Sequence, residues 1–342
     1  MALPAAVQKV AIALNKKFGE GTVVLGSEVV IPDRITSGSL SLDLVLGGGW
    51  PRNTWVELVG EASHGKTAVA LKTVAANQMN DPDFVTVWAA SEEWNKGYAE
   101  MCGVDTERVI LIESNIMEEV FQSVLEFLDT KDVDLVVIDS LPALVPSAED
   151  EKQMDELTVG KGAMLVNKFF RKATKSTKRA PDGSEKAVTG IVINQYRQMI
   201  GVMYGDDKTT PGGQGKNYAF NIRCEVRRGE WIEIGPAKNK SRVGQSLRIR
   251  TIKNKTAPPQ QVAFVDFYFA DGGECTPGEY DYAKEMVSLS ILRGVVERAG
   301  AWYKYDGRQW QGSDALLEEI RKDHALKDSL NREVMNTLHK GV

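Results

Sequence analysis

The chain is poor in cysteine: three in 342 residues, Cys102, Cys224 and Cys275, scattered and odd in number. That argues against a disulfide framework and points to a reducing compartment. Histidine is equally scarce, with three residues and no zinc-ligand spacing, so a zinc site is not expected. No apolar run reaches membrane-spanning length, and the N-terminus MALPAAVQKVAIALNKKFG lacks the layout of a signal peptide. A soluble, cytoplasmic protein is expected. Basic excess is missing too. The net charge is −5, so any contact with nucleic acid must come from a local surface rather than a global field. What is present, 42% hydrophobic and 26% charged residues, suits a globular protein with one large core and smaller satellites.

Residues 5–18 place Ala6, Val7, Val10, Ala11 and Leu14 at helical spacing with lysines between them. This predicts an amphipathic helix, followed by a short strand in GTVVLG. The pair can dock on another subunit or pack on its own core, and the pattern does not choose. From Trp55 the chain alternates. TWVELVG, FVTVWAA, DLVVID and GIVINQ read as strands. Helices are expected over Thr67 to Met79, over EEVFQSVLEFLDT and over Gly160 to Lys175. Such alternation predicts an α/β fold with a doubly wound, mostly parallel sheet. LRIRTIKN and VAFVDFYF alternate more strictly and are expected to pair antiparallel at the sheet edge. The predicted division is an N-terminal arm over 1–32, a core over 33–272 and a small C-terminal domain over 273–342.

The clearest chemistry lies in Gly60-Glu61-Ala62-Ser63-His64-Gly65-Lys66-Thr67, between a predicted strand and a predicted helix that continues through Ala68. Glycine-rich loops in that context cradle phosphates on backbone N–H groups. Lys66 is expected to neutralise the β and γ phosphates of a nucleoside triphosphate, and Thr67 to ligate Mg²⁺. The plain alternative is a glycine-rich turn with a chance lysine. Asp139 ends the apolar run Leu135 to Ile138, where sheets of this class bind ligands, and is the expected acidic partner of the metal. Glu92 and Glu93 end another strand, and either can orient a water molecule.

Three further stretches narrow the reading: ITSGSLSLDLVLGGGWP, VVIDSLPALVPSAE and INQYRQMIGVMYGDDKTTPGG. With GEASHGKT they closely resemble the bacterial RecA recombinase family, from near residue 5 to about residue 305. The resemblance implies a RecA-type P-loop ATPase core and a helical filament on single-stranded DNA that pairs with homologous duplex and promotes strand exchange. Its implied cofactors are ATP and Mg²⁺. It puts the water-activating role on Glu92, adenine stacking on Tyr98 and γ-phosphate sensing on Gln195. Lys253 and Lys255 fall where the family reaches across to the neighbour's ATP. Without the resemblance they read as edge-strand lysines that blunt aggregation.

Two loops, about 149–162 and 196–213, are the expected DNA contacts. The second carries Arg197, Met199, Ile200, Gly201, Val202, Met203, Lys208, Gly212 and Gly213. An apolar residue such as Ile200 can wedge between bases and glycine amides can approach phosphates. The loop also reads as a lid over the nucleotide. By the resemblance, Ile200 separates base triplets, Arg171 and Gly212–Gly213 contact phosphates, and Val159 stands where a methionine is common. His64 replaces the family's usual small residue. The chain also lacks the acidic tail of many relatives, which would suit a phage- or plasmid-borne member. Rival readings are a helicase-like motor on the same core and an ATP-gated scaffold for single-stranded DNA.

Overall fold

In the computed structural model the described residues are 3–19, 21–28, 33–150, 160–176, 187–198, 208–213 and 215–339. The central sheet is built from β1 (Thr54–Val59), β2 (Thr86–Ala90), β3 (Val109–Ile112), β4 (Leu135–Asp139), β5 (Thr189–Asn194), β6 (Phe220–Ile234), β7 (Ser241–Asn254) and β8 (Val262–Tyr268). Their spatial order is β8-β7-β6-β1-β5-β4-β2-β3. The pairs from β6 through β3 are parallel, and β6–β7 and β7–β8 are antiparallel. The expected mostly parallel sheet with an antiparallel edge is therefore present.

The inner parallel strands β1, β2, β4 and β5 are buried along their whole length because helices cover both faces, whereas the edge strand β3 is only partly buried. Along β1, Val56 and Leu58 enter one apolar cluster while Trp55 enters the other. The first cluster takes α3 (Lys66–Asn80), and the second takes α5 (Met117–Thr130) and α6 (Lys161–Ser176). Gly190 on β5 lies beneath the Trp55 ring, where a Cβ would come within 2.2 Å of it. Trp55 also meets Phe169 and Phe170 edge to face, so one glycine seats an aromatic cluster at the centre of that face.

Helix α1 (Ala5–Phe18) forms as its spacing predicts, but none of its residues is buried. The strand expected in GTVVLG does not form: Gly21–Val23 is turn or bend, and a single 3-10 turn spans Gly26–Glu28. The reason is local. Asn15 of α1 accepts from the Val23 N–H at 2.7 Å and donates to its carbonyl at 2.9 Å, so these ladder groups are already satisfied.

A third apolar cluster holds the C-terminal region. It comprises α8 (Tyr282–Leu292), a sheet of β9 (Glu297–Ala299), β10 (Trp302–Tyr305) and β11 (Arg308–Gln311), α9 (Ser313–Lys322) and α10 (His324–His339). Leu40 and Leu44 of α2 (Leu40–Leu46) are buried in this cluster, although they precede the central sheet in sequence. Among the described residues no helix is long and apolar enough to cross a membrane.

Candidate functional site

Strand β1 delivers the chain to the loop Gly60–Gly65, and α3 begins at Lys66. Ser63 and Gly65 adopt φ of 58° and 86°. Left-handed residues of this kind turn successive N–H groups inward and make an anion-binding concavity. Gly65 is required twice, since its φ is left-handed and a Cβ there would lie 2.7 Å from Leu247 of β7. A Cβ on Gly60 would lie 2.2 Å from the Val226 carbonyl of β6. The loop is thus wedged against the antiparallel half of the sheet.

Lys66 donates to the Glu61 carbonyl at 2.6 Å. Burial pulls its pKa down, and Asp139, Glu92 and Glu61 pull it back up. The Thr67 hydroxyl donates to Asp139 at 3.0 Å across 72 residues of sequence. Asp139 is 8% exposed. Burial raises its carboxyl to about 6 and the Glu92 charge adds to that, while Thr67 and Lys66 oppose. The Asp139–Ser140 peptide is cis. Ser140 donates to one oxygen of Glu92 at 2.6 Å. Glu92, rather than Glu93, is thereby held beside the lysine and the aspartate.

Tyr98 lies on α4 (Lys96–Met101) with its ring against the first apolar cluster. Burial raises its hydroxyl pKa, with the neighbouring Cys102 thiol adding to the shift. Gln195 follows β5, and its N–H donates to the Asn194 side chain at 2.9 Å. Lys253, near the end of β7, donates to the Asn217 carbonyl at 2.6 Å. The charges that bear on it are Lys255, Arg223 and Glu57. Lys255 is exposed. The structure therefore brings together Lys66, Thr67, Asp139 and Glu92, and leaves Lys253 and Lys255 outside that group.

His64 is half-buried, and its Nδ1 has no hydrogen-bond partner. Burial lowers its pKa, which favours the neutral imidazole. Of the expected DNA contacts, Val159, Met199, Ile200, Gly201, Val202 and Met203 lie outside the described residues, as does the Lys208 side chain. The stems of the second loop are described. Arg197 pairs with Thr209 and is exposed. Gly212 and Gly213 adopt φ of 96° and 73°. Arg171 is exposed on α6.

The sequence reading missed a buried ionic hub between the stems of that loop. Glu57 of β1 accepts from Arg223 at 2.5 Å and Asn194 at 2.8 Å, and lies 3.8 Å from Lys216. Lys216, on the one-turn helix α7 (Lys216–Ala219), also donates to Thr210 at 2.7 Å. Both stems of the loop are thereby tied to the strand that carries the phosphate loop. The available signal was a lone acid in TWVELV, a strand otherwise without charge.

A phosphate-binding loop at the carboxyl end of a parallel strand, with Lys66, Thr67 and an acid on a second strand, defines a P-loop nucleotide-binding protein. Comparison with known proteins goes further. The RecA N-terminal domain family matches residues 4–274. Protein RecA of Lactococcus lactis subsp. cremoris (strain MG1363) is 33% identical over 325 residues, covering 94% of this chain and 80% of that one. Protein RecA of Lactobacillus delbrueckii subsp. bulgaricus (strain ATCC BAA-365 / Lb-18) is 36% identical over 337 residues, covering 97% and 85%. A solved RadB recombinase overlays with a TM-score of 0.49 at 17% identity, covering 68% of this chain and 94% of that one. This chain belongs to the RecA family. Its class of activity is that of an ATP-dependent recombinase and DNA-dependent ATPase.

Proposed function

We propose that the protein binds Mg²⁺ and ATP at the Gly60–Thr67 loop and assembles with copies of itself as a helical filament on single-stranded DNA. The filament pairs that strand with homologous duplex and promotes strand exchange. The observation that carries this reading is the convergence of Thr67, from the first turn of α3, with Asp139 and Glu92, from the ends of two separate strands, beside Lys66. The residues fit the cofactor. The left-handed loop offers amides to phosphate, and the Thr67 hydroxyl and Asp139 carboxylate are hard oxygen donors suited to magnesium. When bound, magnesium would neutralise charge on the phosphate oxygens. Lys66 supplies the fixed cation of the same cradle. Ser140 occupies one oxygen of Glu92, which leaves the other free to accept from the attacking water and orient it.

Lys253 and Lys255 complete the site of the adjacent subunit, where a cation stabilises charge in phosphoryl transfer. Hydrolysis then depends on assembly. Tyr98 stacks on adenine, and Gln195 relays the γ-phosphate to the second loop. Residues 1–32 serve oligomerisation, 33–272 form the ATPase core with both DNA loops, and 273–342 form the small C-terminal domain. We place the protein in the cytoplasm. Base pairing supplies sequence specificity, while Val159, Arg171, Arg197, Met199, Ile200, Gly201, Val202, Met203, Lys208, Gly212 and Gly213 hold the strand.

Replacing Glu92 by Gln should keep ATP and DNA binding and lower DNA-stimulated hydrolysis by about 10²- to 10⁴-fold. Full hydrolysis by E92Q would remove the catalytic assignment. Strand exchange measured with homologous and heterologous duplex separates a recombinase from a motor. Unwinding without a homology requirement would sink the recombinase reading.

A further inference from the structure

A second tie between the phosphate loop and the second DNA loop runs through β6. Glu225 of that strand is 2% exposed. The Tyr196 hydroxyl donates to one of its carboxylate oxygens at 3.2 Å, and Arg227 donates to the same oxygen at 2.8 Å. Arg250 of β7 lies 3.1 Å from the other oxygen, as an ion pair without a directed hydrogen bond. Burial pushes the Glu225 carboxyl up, but Arg227, Arg250 and Tyr196 outweigh it and hold the group below the usual carboxylate range. Glu225 is therefore a charged acceptor at neutral pH.

Both ends of this contact lead to the site. Tyr196 directly follows Gln195, on the first stem of the second loop. The Asn194 side chain joins that stem to the other by donating to the Pro211 carbonyl at 3.3 Å. On its far side, β6 runs against the phosphate loop. The Val226 carbonyl fills the space that a Cβ on Gly60 would need, and the Glu61 charge of that loop acts on Arg227. One short run of β6, Glu225 to Arg227, thus meets the nucleotide cradle on one side and the DNA loop on the other. Two arginines already compensate Glu225, and the tyrosine bond is the longer of the two on its oxygen. Such a contact can break and re-form without leaving a buried charge unpaired.

We propose that Tyr196 is a positioning residue that couples the nucleotide state of the Gly60–Thr67 loop to the second DNA loop through Glu225 and Arg227, in parallel with Gln195. The proposal rests on the recombinase reading. Coupling between two ligands is reciprocal: the factor by which ATP tightens DNA binding is the factor by which DNA tightens ATP binding. A side chain that merely touches DNA shifts DNA affinity equally with and without nucleotide and leaves that factor alone.

The test measures the factor in the full chain from both directions. Single-strand affinity is taken with and without a non-hydrolysable ATP analogue, and analogue affinity with and without the strand. Tyr196→Phe removes only the hydroxyl. It should shrink the factor by about tenfold, the worth of a hydrogen bond to a charged acceptor, and equally from both directions. Analogue affinity without DNA and the melting temperature should match the parent. Arg227→Gln, at an exposed side chain, should shrink the factor by the same route, so Y196F/R227Q should lose no more than either variant alone. An unchanged factor in Y196F, or losses that multiply in the double variant, would overturn the coupling. So would a parent chain that binds single strands equally with and without the analogue. A parent that binds no single-stranded DNA would instead overturn the recombinase reading.

Discussion

Asp139 at the end of β4 and Glu285 on α8 are both almost fully buried, 8% and 4% exposed. Burial raises both carboxyls, to about 6 and about 7. Their company differs. Asp139 faces a lysine, a second acid and a hydroxyl beside a phosphate loop. Glu285 accepts from the Ser39 hydroxyl at 2.5 Å and the Leu40 N–H at 3.1 Å, at the N-terminus of α2. It joins α8 to the N-terminus of α2, and neutral donors satisfy it. A buried acid with a raised pKa is thus not by itself a sign of chemistry. The charges gathered around it decide.

The largest expected effect probes the cation that we propose a neighbouring subunit adds to the company of Asp139. Lys253→Ala should leave ATP binding by the monomer nearly intact and lower DNA-stimulated hydrolysis by about 10³-fold or more. Unchanged DNA-stimulated hydrolysis would reject the trans-acting role. Glu285 tests the other side of the comparison. The folded carboxyl holds its proton up to about pH 7, whereas an unperturbed one releases it near 4.5. Its stabilising contribution is therefore complete below pH 4.5 and is lost as pH rises through 7, a change of about 3 kcal/mol. The melting temperature should fall between pH 5 and 8, and Glu285→Gln should flatten that fall without changing ATP hydrolysis. A loss of hydrolysis in E285Q would erase the distinction between the two acids. The smallest effect is expected of His64→Ser, a change in hydrolysis rate of less than about tenfold, because the loop binds phosphate through its amides. A larger loss in single-turnover hydrolysis would give the imidazole a direct role.

Much of the phosphate site could be read along the chain. The loop, its strand and its helix are contiguous, and the helix expected from Thr67 to Met79 runs from Lys66 to Asn80. Asp139 was visible as the acid that ends an apolar run. Glu57 was visible only as an oddity, because its partners Asn194, Lys216 and Arg223 lie 137 to 166 residues away in sequence. The strand expected in GTVVLG failed for a related reason. Strand propensity needs a partner edge, and the Asn15 side chain takes the Val23 backbone groups instead.

Helical and strand periodicity follow from backbone geometry over a few residues, so the sequence alone determined the alternation of elements and the phosphate cradle. Only the tertiary structure decided that Thr67 meets Asp139, that Glu92 rather than Glu93 is held by Ser140, and that Glu57 ties down both stems of the second loop. It likewise assigned Leu40 and Leu44 to the C-terminal cluster. Those choices depend on strand order and on which helix covers which face. Both arise from burial summed over the whole chain, a quantity that no local window contains.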